Sequence, residues 1–232
     1  MATSADLIAA FADRVELPIP LNEVRDWLLG RRYQDKINFI PVDLDTGVIR
    51  GFLKRVRIGK GGWDSEPLDV SNIYYDRHQG AAWINLVCAK ELLHILDAAR
   101  CSTREQFDKL TASLALPHDL QHILQDPDFA VVDKLGDLPA LALLLPAKAR
   151  EILLPGYQQG IITDEAISEM AMIPPQHVRV VMSSNWPAVY DIIMSDLSKY
   201  AEDDDQMDLG LNGARAAAPQ RPNEAQPTVP RS

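Results

Sequence analysis

The chain has very little cysteine and no long apolar segment, and each shortage excludes a class of protein. Its 232 residues include two cysteines, Cys88 and Cys101, which is too few for a disulfide-stabilised secreted fold. No run of residues approaches the roughly 18 consecutive apolar positions of a membrane span. The opening stretch MATSADLIAAFADRVEL carries acidic residues within its apolar part, and a secretory leader does not. We therefore expect a cytoplasmic protein without a membrane partner.

Positive charge is also scarce. Lysine and arginine total 23 against 33 aspartates and glutamates, giving a formal net charge of −10. That balance disfavours non-specific binding to nucleic acid or to anionic membranes. Hydrophobic residues make up 47% of the chain, which is enough to form a globular core.

Hydrophobic periodicity changes character along the chain. Two amphipathic patterns predict helices within residues 1–35, separated by Pro18 and Pro20. Strand patterns follow in KINFIPVDL, GVIRGFLKRVRI and VSNIYYD, the first two joined at the turn signal Asp45-Thr46-Gly47. The later chain predicts helices over residues 81–100, 103–115, 117–125, 129–145, 147–153, 164–172, 175–183 and 187–200.

This order of elements predicts an α+β fold with a small N-terminal sheet and a larger helical layer. We divide the chain into N-terminal helices (1–35), a main domain (36–200) whose C-terminal part (163–200) is helical, and a tail (201–232). The tail is rich in Pro, Ala and Gln and lacks apolar periodicity, so it is predicted to be disordered.

The segment VCAKELLHILD, residues 87–97, is the most informative part of the sequence. On a helical wheel its apolar residues cover more than half of the circumference, while Lys90, Glu91, His94 and Asp97 share one wedge. A surface helix shows the opposite proportion. The pattern predicts a helix that is buried on most sides, with one polar strip facing a cleft. The plainer alternative is a buried helix with a polar edge and no function.

The strand SNIYYD followed by the helix WINLVCAKELLHILD resembles the ImmA/IrrE family of metallopeptidase-like proteins. That family has a helix reading approximately R-F-T-x-A-H-E-L-G-H, then a helix with an acidic ligand that ends near L-L-M-P, then helices similar to a helix-turn-helix. Here LALLLP ends at Pro146, and the resemblance spans roughly residues 37 to 183. It implies a zincin-like fold in which Glu91 takes the general-base position and His94 the second zinc-ligand position. The acidic ligand would be Asp133.

The departures from the family pattern concern the metal. Lys90 replaces the first histidine, and its ammonium has no lone pair with which to bind zinc. His94 and Asp133 alone leave a tetrahedral zinc site without a protein ligand. We therefore expect a degenerate site without a cofactor, with zinc bound only if the site is functional. We hypothesise that Lys90 supplies the positive charge that His94, Asp97 and Asp133 would otherwise meet in a metal.

Three functional readings follow from these residues. The first is a non-catalytic or weakly active regulatory protein that acts through a protein partner, in the phage, mobile-element or stress settings that the resemblance implies. The second is an active zinc endopeptidase using His94, Asp133 and a third ligand. The third is a DNA-binding regulator acting through residues 163–184, although Gln176, His177 and Arg179 are few for base readout.

A basic stretch precedes the third strand pattern. Lys54, Arg55, Arg57 and Lys60 lie in KRVRIGKGG and offer a surface for a phosphate or an acidic partner. The spacing matches no phosphate-binding loop, and basic residues commonly protect exposed edge strands. We favour the edge-strand interpretation.

Overall fold

The computed structural model describes residues 3–31, 34–47, 49–59, 67–96 and 137–195. Within these ranges it has eight helices and a three-stranded sheet, which confirms the α+β class. The elements are α1 (Ser4–Phe11), α2 (Leu21–Gly30), β1 (Lys36–Val42), β2 (Gly51–Ile58), β3 (Leu68–Asp76), α3 (Ala81–Leu93), α4 (137–144), α5 (Ala147–Gln158), α6 (Asp164–Ala171), α7 (Pro175–Met182) and α8 (186–195).

The sheet has the order β1-β3-β2, so β3 lies between the two strands that precede it in sequence. It pairs in parallel with β1 and antiparallel with β2. The predicted turn is present, since the Gly47 amide donates to Asp45 Oδ1 at 2.9 Å. The strands on either side of it are nevertheless not neighbours, because a turn signal reports a local reversal and not the pairing partner.

Asp76 at the end of β3 holds the connection between the two outer strands. Its carboxylate is buried and accepts from the Leu44 amide at 3.1 Å and from the His78 amide at 3.1 Å. A buried carboxylate is stable when backbone donors satisfy it in this way. The chain can therefore cross from β1 to β2 past the end of β3.

Helix α3 lies against one face of the sheet at a close approach that only glycine permits. A Cβ atom on Gly51 would lie 2.4 Å from Val87 Cγ1 and 2.6 Å from the carbonyl oxygen of Tyr74. Strand alternation places Leu53 and Arg55 on the same face of β2 as Gly51. This face therefore carries β2 side chains toward α3.

The predicted burial of α3 is confirmed, since nine consecutive residues, Asn85 to Leu93, are buried. The core that surrounds them is continuous and draws on the N-terminal helices, the sheet and the C-terminal helices. Helix α1 also binds α3 directly, because the Ser4 hydroxyl donates to the Leu93 carbonyl at 3.1 Å. In the described chain, residues 3–31 therefore pack on the same core as the predicted main domain.

The ends of two later helices differ from their predicted positions by five residues or more. Helix α3 ends at Leu93 and not at the predicted residue 100, since residues 94–96 form turns, and α5 is longer than predicted. This helix continues past Leu153 and through Pro155 to Gln158. The helices predicted over 103–115 and 117–125, Cys101 and the tail 201–232 lie outside the described residues. No described helix is long and apolar enough to cross a membrane.

Candidate functional site

The KELLH residues, 90–94, lie at the C-terminal end of α3. Lys90 and Glu91 belong to the helix, and His94 is the residue that follows its last turn, with helical dihedral angles and an amide that donates to the Lys90 carbonyl at 3.0 Å. The last carbonyls of a helix have no partner within it. Here Arg55 of β2 donates to the carbonyls of His94 at 2.7 Å and Ile95 at 3.0 Å. A cation at a helix C-terminus is also favoured by the helix dipole.

Lys90 carries its charge in a nearly enclosed place. Its side chain is 11% exposed, and Nζ lies 3.9 Å from Oδ1 of Asp137, which is 27% exposed. The distance is that of an ion pair and exceeds a direct hydrogen bond. A buried cation must be compensated by an opposite charge or it destabilises the fold. Asp137, the first described residue of α4, supplies that charge.

His177 of α7 approaches the same carboxylate from the other side. Its Nε2 lies 3.7 Å from Oδ2 of Asp137, and its side chain is 16% exposed. The imidazole ring stands perpendicular to the Trp83 indole, with 5.2 Å between centroids, and the Arg50 guanidinium lies 3.9 Å over that indole. Asp137 is thus flanked by the Lys90 ammonium and the His177 imidazole.

The α6–α7 pair is attached to α3 at a second point. Asn85 Nδ2 donates to the Met172 carbonyl at 3.1 Å, and Met172 has the left-handed conformation (φ 51°) that ends α6. This bond attaches the α6–α7 turn to α3, and His177 of α7 contacts Asp137, the partner of Lys90. The segment proposed for DNA reading therefore contacts the KELLH helix.

The polar residues of α6 and α7 are used mainly within the protein. Arg179 Nε contacts Oδ2 of Asp164 at 2.5 Å, and the Tyr157 hydroxyl donates to Oδ1 of the same carboxylate at 2.7 Å. The Arg179 guanidinium, followed by the Tyr157 hydroxyl, lowers the pKa of Asp164. Of the three residues considered for base contacts, His177 faces Asp137, Arg179 is paired and Gln176 is exposed.

Glu91, the residue after Lys90 in α3, is buried at 7% exposure. Its charge reaches the neighbouring thiol: burial, and secondly the Glu91 carboxylate, raises the pKa of Cys88 from 9.0 to about 12. Cys88 is a free, buried cysteine. A thiol that stays protonated at neutral pH is a core group and not a nucleophile.

Part of the predicted site is in place and part lies outside the described residues. Lys90, Glu91 and His94 are described as above, whereas Asp97 and Asp133 are not among the described residues. Sequence reasoning missed Asp137 as a partner of Lys90 and treated His177 only as a DNA contact. The spacing of Asp137 four residues after Asp133 is the one signal that could have drawn attention to it.

The described residues do not fit a tetrahedral zinc ion. Such a site needs three or four lone-pair donors converging on one point. No three His, Cys, Asp or Glu side chains come together in that way in the ranges that the structure covers. The first ligand position of the motif holds the Lys90 ammonium, which is paired with the carboxylate of Asp137.

Comparison with protein-family models, with curated proteins and with solved structures gave no match.

Proposed function

We propose that the protein is a metal-independent relative of the ImmA/IrrE family, with a zincin-like fold, and that it acts in the bacterial cytoplasm by binding a protein partner. The setting implied by the resemblance is regulation in a phage, a mobile element or a stress response. The observation that carries the proposal is the buried ammonium of Lys90, ion-paired with Asp137 where the motif would have its first zinc ligand.

The pair supports a loss of metal with retention of architecture. A cleft built around a cation contains carboxylates and imidazoles that are destabilising once the cation is gone. A lysine at the vacated position supplies one fixed positive charge that is present whether or not metal is available. Asp137 faces this charge at 3.9 Å, and the remaining Asp137 oxygen faces His177 at 3.7 Å.

The same arrangement argues against hydrolysis. In zinc peptidases the glutamate after the first histidine acts on a water molecule that the metal polarises. Glu91 holds that position but stands beside an ammonium instead of a metal ligand. An ammonium that is already paired with Asp137 does not lower the pKa of a water molecule as zinc does. Binding is then the function that the architecture retains.

The zinc endopeptidase remains the second candidate, because Glu91 and His94 keep the spacing of base and second ligand at the end of α3. It requires Asp133 and one further ligand to complete the site. DNA binding through residues 163–184 is the third, supported by the helix–turn–helix spacing of α6 and α7. The inward position of His177 and the Arg179–Asp164 pair weaken it.

A peptidase assay separates the first two candidates. The full chain, supplied with zinc and incubated with casein, is expected to release no more peptide than its Glu91→Gln variant. Cleavage that is lost in Glu91→Gln and abolished by a chelator would establish the peptidase and refute the binding proposal.

A further inference from the structure

A second candidate site lies on the sheet. Residues at the end of β2, beside the C-terminus of α3, line a cavity of about 330 Å³. Its lining residues are Gln34, Arg55, Val56, Arg57 and Asp69. Two of the five are arginines, in a chain whose formal net charge is −10. The cavity therefore presents two guanidinium groups on an acidic protein, and one of them, that of Arg57, is paired with the Asp69 carboxylate.

The two arginines are positioned by different contacts. They are two residues apart on β2 and so project from the same face of the strand. Arg55 is held by the carbonyls of His94 and Ile95, both bound through one terminal nitrogen. Arg57 is held through Nε, 3.2 Å from Oδ1 of Asp69, its partner across the sheet. Arg55 is thereby fixed before a ligand binds and loses little conformational freedom, whereas the Arg57 side chain is 71% exposed and its surface pair with Asp69 holds it only weakly.

Within the described residues, those contacts leave guanidinium donors unused on both arginines. A guanidinium carries five N–H donors in a planar fork that matches a carboxylate or a phosphate. Arg55 uses one terminal nitrogen and Arg57 uses Nε. The free edges of two such forks, on one face of a strand, form a site for an oxyanion.

The surrounding charges decide which oxyanion fits. Asp69 borders the cavity, and its own amide is bound by the Asp35 carboxylate at 2.7 Å. Two carboxylates repel a dense polyanion such as a nucleic-acid backbone but tolerate one singly charged group between the arginines. A second copy of this chain paired along β2 would bring Lys54, Arg55 and Arg57 close to like charges, which is destabilising.

We infer that this cavity receives the carboxylate of an aspartate or glutamate side chain from a protein partner. The inference rests on the proposal that the protein acts through such a partner, and it names the partner's chemistry. Because Arg55 also binds the carbonyl of His94, an acidic group in the cavity would contact the residue that holds the end of the KELLH helix.

Arginine side-chain NMR on the full chain tests the inference. The Nε–Hε signals of Arg55 and Arg57, assigned from Arg55→Lys and Arg57→Gln samples, are followed during titration with a capped pentapeptide that has one central glutamate between alanines. The control peptide has glutamine in place of glutamate, and inorganic phosphate is titrated separately. We expect saturable shifts with the glutamate peptide and binding about tenfold weaker with the glutamine peptide, since a charge-assisted bond is lost.

Variants of one strand supply the structural control. Arg57→Gln is expected to lower the affinity for the glutamate peptide about tenfold, because it removes one of the two guanidinium groups. Lys54→Gln removes the same charge from the opposite face of β2 and should change the affinity by less than about twofold.

Four results would overturn the inference: no saturable shift, equal binding of both peptides, equal effects of the two variants, or tighter binding of phosphate than of the glutamate peptide. None of them depends on metal content or on peptidase activity. If the peptide titration fails while casein stays uncleaved, only the inference that this cavity binds a carboxylate is refuted. Zinc-dependent cleavage of casein would instead refute the proposed function.

Discussion

Replacing Lys90 by methionine removes the charge of the central ion pair while keeping the length and packing of the side chain. The native side chain is 11% exposed and its Nζ lies 3.9 Å from Asp137. The substitution therefore leaves Asp137 without its cation in a poorly hydrated position. Were Lys90 extended into solvent along an apolar surface, the same change would be neutral or slightly stabilising.

The magnitude follows from the distance and the exposure. Two unit charges 3.9 Å apart attract by about 4 kcal/mol at an effective dielectric constant of about 20, and by about 1 kcal/mol in bulk water. Asp137 is 27% exposed, so water recovers part of the loss. We expect the free energy of unfolding to fall by about 2–3 kcal/mol, below the about 3–5 kcal/mol of a fully buried pair.

Thermal and urea unfolding of the full chain measure this loss. For a chain of this size a fall of that magnitude lowers the melting temperature by about 5–10 °C. Lys148→Met is the matched control, because Lys148 pairs with Glu151 at 2.8 Å on the surface. Exposed ion pairs contribute little to folding stability, so the Lys148→Met control should have the same melting temperature as the parent.

A result in the other direction would refute the reasoning. If Lys90→Met melts at or above the temperature of the parent, then the ammonium does not stabilise Asp137, and the metal site has been lost without a compensating charge. Equal losses of unfolding free energy in Lys90→Met and Lys148→Met would also contradict it, because burial would then have no effect on how much an ion pair stabilises the fold.

Three further predictions concern other groups. The pKa of Cys88 is raised from 9.0 to about 12, so the stability gained by keeping the thiol protonated is complete below pH about 9 and falls as the pH rises toward about 12. Cys88→Ala should therefore flatten the curve of unfolding free energy against pH over this range. An unchanged slope would refute the prediction. Arg179 lowers the pKa of Asp164, so the pair stabilises the fold above the ordinary carboxyl pKa of about 4, and this contribution is lost as the pH falls through the lower native pKa. The Asp164→Asn variant should therefore lose less stability on acidification than the parent. An equal loss would count against a stabilising Arg179–Asp164 pair. Ending the chain after Tyr200 should leave the melting temperature unchanged, since the composition of residues 201–232 offers no core contacts; a drop of more than about 5 °C would mean that the tail docks.

The sequence predicted the helices well because their signals are local. The all-round apolar character of α3 indicated burial, and Asn85 to Leu93 are buried. The spacing of apolar residues around Ile173-Pro174-Pro175 placed α6 and α7 to within a residue of their observed ends. These features depend on residues within one or two turns of one another.

Other features depend on chain segments that are distant in sequence. Strand patterns predicted β1 and β2 but gave no signal that β3 would lie between them. The close approach that requires Gly51 arises only when α3 packs on the sheet. The contacts of Asp137 with Lys90 and His177 join three helices, and no pattern in any one of them identifies the other two.

Elemental analysis is the measurement that tests the central claim most directly. The full chain and its His94→Ala variant, both purified without chelator and dialysed, are compared for zinc per chain. Because Lys90 holds an ammonium at the first ligand position and pairs with Asp137, both proteins should contain far less than about one zinc per chain, with no difference between them. About one zinc per chain in the parent, retained through dialysis and lost in His94→Ala, would contradict the account.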